Sequence, residues 1–420
     1  MNEPTLMILG ATGDVTSRLL LPGIGMVLQE HPDRSVRVIG VGRRPWPRAE
    51  FAAMVERTVG AGGADPAVAA QIAQKADYRQ IDMREPEDLA RLLAEHEDAA
   101  RLYLYFALPP QTSAGVCATL REVRLSAAVH LALEKPFGTD LASAQALNQL
   151  VGELAPADRV HRIDHFLGMR IVRGLAGSEI TRLLAEAEAA ADPLAEVEIC
   201  FDELIALEGR AGYYDHAGAM VDMIQSHLLL TLAELVGTAL GQVAGPDVHA
   251  RRAAVLRATR LRDGADAVRR ARYTAGSVQG REVPSYVDED GVDPARGTET
   301  LAQVTVEVDL PGWQGVPIAL RSGKALGRPA QHIALRTRSG RQAVVPFVTA
   351  DPEGAHIDAY GAVADSLLFG DASLAVMGEV PEQGWRIAGE VLERWAAGGV
   401  PMSEYRAGAD VPEQWRPMSV

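Results

Sequence analysis

Two acid–histidine groupings in this chain have the residue types for proton transfer. One is Asp164-His165, inside Arg162-Ile163-Asp164-His165-Phe166-Leu167-Gly168-Met169-Arg170; the other is Asp222-Met223-Ile224-Gln225-Ser226-His227. An imidazole titrates near pH 6.5, roughly, so it can take up a hydroxyl proton in neutral solution. A carboxylate on its other nitrogen orients the ring and stabilises the charged form. In an α-helix, residues three or four apart share a face and residues five apart do not, so Asp222 is poorly placed to hold His227. Taken bare, an Asp and a His so spaced are ordinarily a surface charge and a packed or surface ring. Lys135 stands before Pro136 at the end of an apolar strand-like run, 127–133, in Glu134-Lys135-Pro136-Phe137-Gly138. Ligands gather at such strand ends in doubly wound sheets, although a rigid turn with an exposed ammonium fits equally well. By themselves Glu203, Lys324 and Arg328 read as solvated charges.

A second kind of chemistry is written at the start of the chain. Gly10-Ala11-Thr12-Gly13-Asp14-Val15 lies between an apolar run, 5–9, and an amphipathic stretch carrying Leu19, Leu20, Ile24, Val27 and Leu28. Glycines at a strand-to-helix turn let the backbone approach a pyrophosphate, and the helix start offers it unpaired N–H groups. Such a turn alone is weak, because many need glycine only for geometry. The next strand-like run, 35–41, ends in Gly40-Val41-Gly42-Arg43-Arg44. In dinucleotide folds an arginine there accommodates a 2′-phosphate, whereas an acid would bond a free 2′-hydroxyl, so Arg43 and Arg44 favour NADP over NAD. Two solvated loop arginines are the plainer alternative.

Together these segments resemble the glucose-6-phosphate dehydrogenase family. Its corresponding nonapeptide reads Arg-Ile-Asp-His-Tyr-Leu-Gly-Lys-Glu, and its nucleotide turn reads Gly-Ala-Ser-Gly-Asp-Leu. Gly209-Arg210-Ala211-Gly212-Tyr213-Tyr214-Asp215, leading to His227, and Leu320-Arg321-Ser322-Gly323-Lys324-Ala325-Leu326 resemble two further family segments. The resemblance implies NADP-dependent oxidation of the C1 hemiacetal of a hexopyranose to its 1,5-lactone, with glucose 6-phosphate as the expected substrate. It makes His227 the base and Asp164 its carboxylate partner. Lys135 becomes a catalytic-site ligand of sugar hydroxyls or the nicotinamide ribose. Asp222 and Glu203 are implied to bind sugar hydroxyls, His165 and Lys324 to bind the substrate, and Arg328 to be a second basic residue on a loop one residue short. The cofactor set is Gly10, Thr12, Gly13, Asp14, Val15, Arg43, Arg44, Lys135 and Pro109, with NAD use left open. A homodimer or homotetramer is implied as well.

The match breaks at two positions. Phe166 stands for the family's Tyr and Met169 for its Lys, both of which help hold the substrate phosphate. Neither replacement donates a hydrogen bond. Arg173, a helical turn beyond Met169, is a candidate to restore that grip, with Arg170 beside it. Otherwise Met169 and Phe166 form the apolar wall of a pocket for an unphosphorylated or 6-modified hexose. Two rival readings are another sugar dehydrogenase class that also carries Glu-Lys-Pro, and a non-catalytic homologue binding sugar or nucleotide.

The elements that must position these residues divide the chain in two. Over about 1–163, strand-like runs (5–9, 35–41, 101–107, 127–133) alternate with helical stretches, which predicts a Rossmann-type parallel sheet. Residues 164–420 are expected to form a larger α+β substrate and dimerisation domain. Helical stretches are read over 179–191 and 220–240, and β-runs at 196–203, 301–308, 316–321, 332–336 and 342–348. The latter suggest an antiparallel sheet. Closing helices fall at 364–374 and 385–395, and 263–297 reads as loop. The 41 basic and 56 acidic residues leave a charge of −15, which disfavours nucleic acid or an anionic membrane as partner. Cys117 and Cys200 make neither a disulfide framework nor a multi-cysteine metal site, and no metal is expected. The first residues lack the cationic start and long apolar core of a signal peptide, so a cytoplasmic protein is expected.

Overall fold

Thr5–Leu9 (β1) is buried along its whole length and has a parallel partner on each side, Arg37–Gly42 (β2) and Leu102–Phe106 (β4). Strands covered on both faces read as continuous apolar runs, which is why Thr5-Leu6-Met7-Ile8-Leu9 shows no alternation. The computed structural model describes residues 3–209, 211–240, 248–264, 266–328, 330–347 and 352–415. Asp77–Gln80 (β3), Val129–Glu134 (β5) and Val160–Ile163 (β6) complete a parallel sheet of order β3-β2-β1-β4-β5-β6. That is the doubly wound order of dinucleotide-binding folds.

The chain forms two compact units, Met1–Arg170 with Asp351–Pro381, and Ile171–Ala350 with Glu382–Val420. A sequential division at residue 163 does not anticipate the return of 351–381 to the first unit. That segment carries the helix Pro352–Leu368, whose Tyr360, Val363 and Leu367 join the core holding Leu6, Ile8 and Leu21. A short antiparallel strand, later in the chain, follows it and pairs with β6 at Ile163. The helix needs glycine beneath it, because a Cβ on Gly168 would fall 2.0 Å from the carbonyl oxygen of Ala359.

The second unit is built on Leu194–Asp202 (β7), Thr259–Leu261 (β8), Val268–Thr274 (β9), Gly276–Val278 (β10), Arg281–Val283 (β11), Leu301–Val308 (β12), Ile318–Gly323 (β13), Gln331–Thr337 (β14) and Gln342–Pro346 (β15). The returning strand Ala375–Val376 is β16 and belongs to the first unit's sheet; Met402–Arg406 is β17. The large sheet runs β15-β14-β7-β13-β12-β9-β17, with β8 on β12. It is mainly antiparallel, with β7–β13 and β9–β17 as its parallel pairings. The stretch 263–297 is not simply loop: β9 and the β10–β11 hairpin lie in it, hidden in the sequence because Arg269, Arg270 and Arg272 interrupt any apolar run. Val348, at the end of the expected strand 342–348, and Arg210 of the Gly-Arg motif lie outside the described residues.

The helix Glu179–Ala189 is amphipathic, burying Ile180, Leu183 and Ala187. Helical structure begins at Ala211, earlier than expected, breaks at Gly218 (φ 62°, ψ 179°), and resumes through Met220–Leu228 into Leu229–Ala239. By length and composition the stretch Ala211–Ala239 could cross a membrane, but 78% of its most apolar window is buried within the protein, as a core helix would be.

Candidate active site

Gly10 follows β1 with φ +86°, and a Cβ there would lie 2.5 Å from the carbonyl oxygen of Ala107. Only glycine fits this turn. Asp14 and Val15 begin the helical path that continues through Thr16–Leu20 to Leu21–Glu30. Gly10 and Thr12 line a cleft of about 740 Å³ with Arg43, Arg44, Asp82, Arg84, Pro109, Gln111 and Thr112. Arg43 and Arg44 are exposed just beyond β2, while their carbonyls accept from Gln80 Nε2 (3.1 Å) and Tyr78 Oη (2.9 Å). Hydrogen bonds from Arg84, with the charge of Arg43 nearby, hold the Asp82 carboxyl down at about 2. A glycine turn at a helix start and free-reaching guanidinia fit a dinucleotide with a 2′-phosphate. In this cleft NADP would supply the hydride acceptor, held by Gly10, Thr12 and the two arginines.

The first unit also carries the residues of the nonapeptide. Asp164 is 2% exposed and caps the short 3₁₀ turn His165–Gly168 by accepting from the Phe166 N–H at 3.0 Å. His165 stacks on Tyr360, with ring centroids 5.0 Å apart and planes 16° apart, and lies 5.2 Å from His356. Both partners come from the returning helix. Nothing in the sequence spacing brings His356 or Tyr360 to His165. Phe166 and Met169 are each 1% exposed, so neither offers an apolar wall that solvent reaches. The helical-turn relation of Met169 to Arg173 also fails: Met169 has φ −58°, ψ 135°, extended backbone ahead of the single turn Arg170–Arg173. Arg173 is exposed, and Arg170 lies 3.7 Å from Asp358.

In the second unit His227 is 2% exposed on Met220–Leu228, which is π-helical. The objection that residues five apart cannot face each other assumed an α-helix. A π-helix bonds i to i+5, which brings Asp222 and His227 toward one side of the segment. Its start is fixed by Glu299, whose carboxylate accepts from Met220 N–H at 2.8 Å. Burial pushes the Glu299 carboxyl up to about 7, although that N–H bond opposes it. Tyr213 Oη donates to Asp222 at 3.4 Å.

Glu203 and Lys324, which the sequence left as separate charges, form a pair: Lys324 Nζ donates to Glu203 Oε2 at 2.6 Å. The ammonium also lies 5.1 Å from the centroid of the Tyr214 ring. Arg328 is elsewhere engaged, 77% exposed and forked onto Asp410 at 3.0 Å. Arg321 is structural, buried on Glu198 (2.8 Å) and Asp202 (3.0 Å). Glu198, Cys200 and His332 offer ligand atoms within 4.8 Å of one another. Arg321 already neutralises that carboxylate, and burial raises the Cys200 thiol well above its ordinary pKa, which opposes a thiolate ligand.

A doubly wound sheet with a glycine turn, an arginine-rimmed cleft and a buried histidine segment in a second α+β unit defines a dinucleotide-dependent oxidoreductase. Residues 7–174 match the family model described as glucose-6-phosphate dehydrogenase, NAD binding domain, and 186–353 match its C-terminal domain. The glucose-6-phosphate 1-dehydrogenase of Gluconobacter oxydans is 31% identical over 97% of this chain and 94% of its own length. That of Dickeya dadantii is 33% identical over 76% of this chain and 67% of its own. A solved structure of a glucose-6-phosphate 1-dehydrogenase from Mycobacterium avium covers 99% of this chain and 96% of its own at a TM-score of 0.81 and 25% identity. Another, described as glucose-6-phosphate dehydrogenase in complex with its substrate glucose-6-phosphate, superposes at 0.83 and 24% identity, covering 98% of this chain and 96% of its own. The chain belongs to the glucose-6-phosphate dehydrogenase family.

Proposed function

We propose that the protein oxidises glucose 6-phosphate at C1 to 6-phosphogluconolactone, with NADP as hydride acceptor. The observation that carries this is near full-length similarity to a glucose-6-phosphate 1-dehydrogenase with Asp164, His227 and Lys135 in place. His227 takes the C1 hydroxyl proton, and Asp164 orients the imidazole and stabilises its charged form. Lys135 holds sugar hydroxyls or the nicotinamide ribose. Glu203, Asp222 and Lys324 fix the sugar. Burial of His227 and Asp164 supports these roles, because a charge interaction is stronger where water is excluded.

His165, with His356 and Tyr360 against it, is the polar group suited to the 6-phosphate. Of the cations, Lys324 is paired with Glu203 and Arg328 with Asp410, and the exposed Arg173 is the candidate to join it. A second reading, oxidation of an unphosphorylated or 6-modified hexose, is favoured by the loss of the two hydrogen-bonding side chains that Phe166 and Met169 replace. Two buried free thiols, Cys117 and Cys200, fit the reducing cytoplasm; resemblance to the family is what supports a homodimer or homotetramer.

The test is nicotinamide reduction with glucose 6-phosphate, glucose and several 6-substituted hexoses side by side, each with NADP and with NAD. Preference for glucose 6-phosphate with NADP supports the first reading. Preference for a neutral hexose supports the second, and no turnover with any sugar defeats both.

A further inference from the structure

Three neighbouring parallel strands deliver a phenol and two carboxyls to the carboxyl end of the first unit's sheet. Tyr105 lies near the end of β4, Glu134 ends β5, and Asp164 follows β6. Glu134 is the Cα partner of Ile163, the residue before Asp164. Tyr105 donates its hydroxyl to the Glu134 carboxylate, and Tyr360 of the returning helix bonds the same group. Tyr360 in turn carries the His165 ring stacked on it.

The charged and titratable groups facing Glu134 are therefore Tyr105 from β4, Asp164 from the turn after β6, Tyr360 from the helix, and Lys135 beside it in the chain. Burial raises the Glu134 carboxyl to about 7, with Asp164 adding to the rise while the two phenols and Lys135 oppose it. None of the roles assigned to Glu134-Lys135-Pro136 uses this acid.

We propose that Glu134 is a positioning residue for the reaction, fixing Tyr360 against His165 and setting the charge beside Asp164. The assignment rests on the reading of Asp164 as the carboxylate serving the base. An ionised Glu134 puts a second negative charge near Asp164, which favours the protonated imidazole and raises the base's apparent pKa. A neutral Glu134 removes that effect. The two groups then titrate as a coupled set, and the acidic limb of the rate profile belongs to both.

The experiment is the pH profile of kcat/KM for glucose 6-phosphate in wild type, Glu134→Gln and Tyr105→Phe. Glutamine keeps the shape and removes the charge, so the broad wild-type limb should narrow to one step, its midpoint lower by about half a unit or more. Tyr105→Phe removes a donor to the ionised acid, keeps more of it neutral, and should shift the midpoint the same way by less. It carries the test if Glu134→Gln fails to fold. Profiles and sugar KM values that superpose on wild type overturn the proposal, because a purely structural acid would move stability and not the midpoint. An infrared carboxyl band that titrates near neutral pH and vanishes in Glu134→Gln supports it, and its absence counts against it. Should wild type turn over no sugar while that band is present, the functional reading fails and the positioning role with it; turnover with superposed profiles instead overturns the positioning role alone.

Discussion

Lys324 and Glu203 are bonded to each other at 2.6 Å, with side chains only 10% and 20% exposed. Backbone bonds brace both ends: Glu203 N–H donates to Gly323 O at 2.7 Å, and Lys324 N–H to Thr300 O at 2.8 Å. Each charge compensates its partner, so the pair presents fixed donors and acceptors rather than a bare ammonium. Removing one partner strands the other. Lys324→Met should raise the sugar KM and cost about 1–3 kcal/mol of stability, with Glu203→Gln on top restoring part of the stability. A double-mutant cycle by thermal melting checks this; additive losses would mean the two do not act as a pair.

His227→Asn should abolish turnover while leaving NADP affinity nearly unchanged, since the proton acceptor alone is lost. General-base catalysis is typically worth about 10²–10⁴-fold, and a much smaller drop in kcat would remove His227 from that role. Asp164→Asn should slow turnover as well, by misorienting the ring. Fluorescence titration with NADPH separates loss of chemistry from loss of binding.

How much of this was legible in the sequence depends on what carries each feature. The Gly10 turn and the parallel strands could be read because glycine geometry and continuous apolar runs are local properties. The π-helical winding at 220–228 could not be, and it reverses the argument that separated Asp222 from His227. No local pattern says that 351–381 returns to the first unit, so Tyr360 and His356 were missed at His165. The β9–β11 region was lost for a simpler reason, since half-buried arginines replace the apolar residues that mark a strand. Non-local pairing, such as Glu203 with Lys324, has no signature in spacing at all.

Arg43→Ala should weaken NADP far more than NAD. The guanidinium is exposed at the rim of the cleft behind Gly10, and on the proposed reading only NADP would bring a 2′-phosphate to it. Losing one charge-assisted bond costs about 1.5–3 kcal/mol, roughly a tenfold rise or more in the KM for NADP. Equal effects on both cofactors would return Arg43 to the role of a solvated loop charge.

Glu299 gives the fold a pH dependence of definite sign. Its native pKa of about 7 lies above the ordinary 4.5, so the native state holds this proton more tightly than the unfolded chain does. Its contribution is therefore fully present below about 4.5 and is lost as pH rises through about 7. Glu299→Gln keeps an acceptor for the Met220 N–H and cannot ionise. Stability measured from pH 5 to 8 should fall less steeply in the variant, by up to about 3 kcal/mol across the range. Parallel curves would mean that the acid is already ionised in the native state.

The phosphate question turns on His356. Met169 is buried, so Met169→Lys would force an ammonium into an apolar setting, and lowered stability is expected before any gain in phosphate affinity. His356, 5.2 Å from His165 on the returning helix, is better placed to supply what the nonapeptide lacks. His356→Ala should raise the KM for glucose 6-phosphate about tenfold or more, as loss of one charge-assisted bond would, and leave the KM for glucose unchanged. Arg173→Ala is the parallel control, since Arg173 is exposed on the turn after Met169. A large effect there with none at His356 would move the phosphate contact to the arginine. If neither matters and glucose serves as well as its phosphate, nothing at this site grips a phosphate, and the substrate is a neutral hexose.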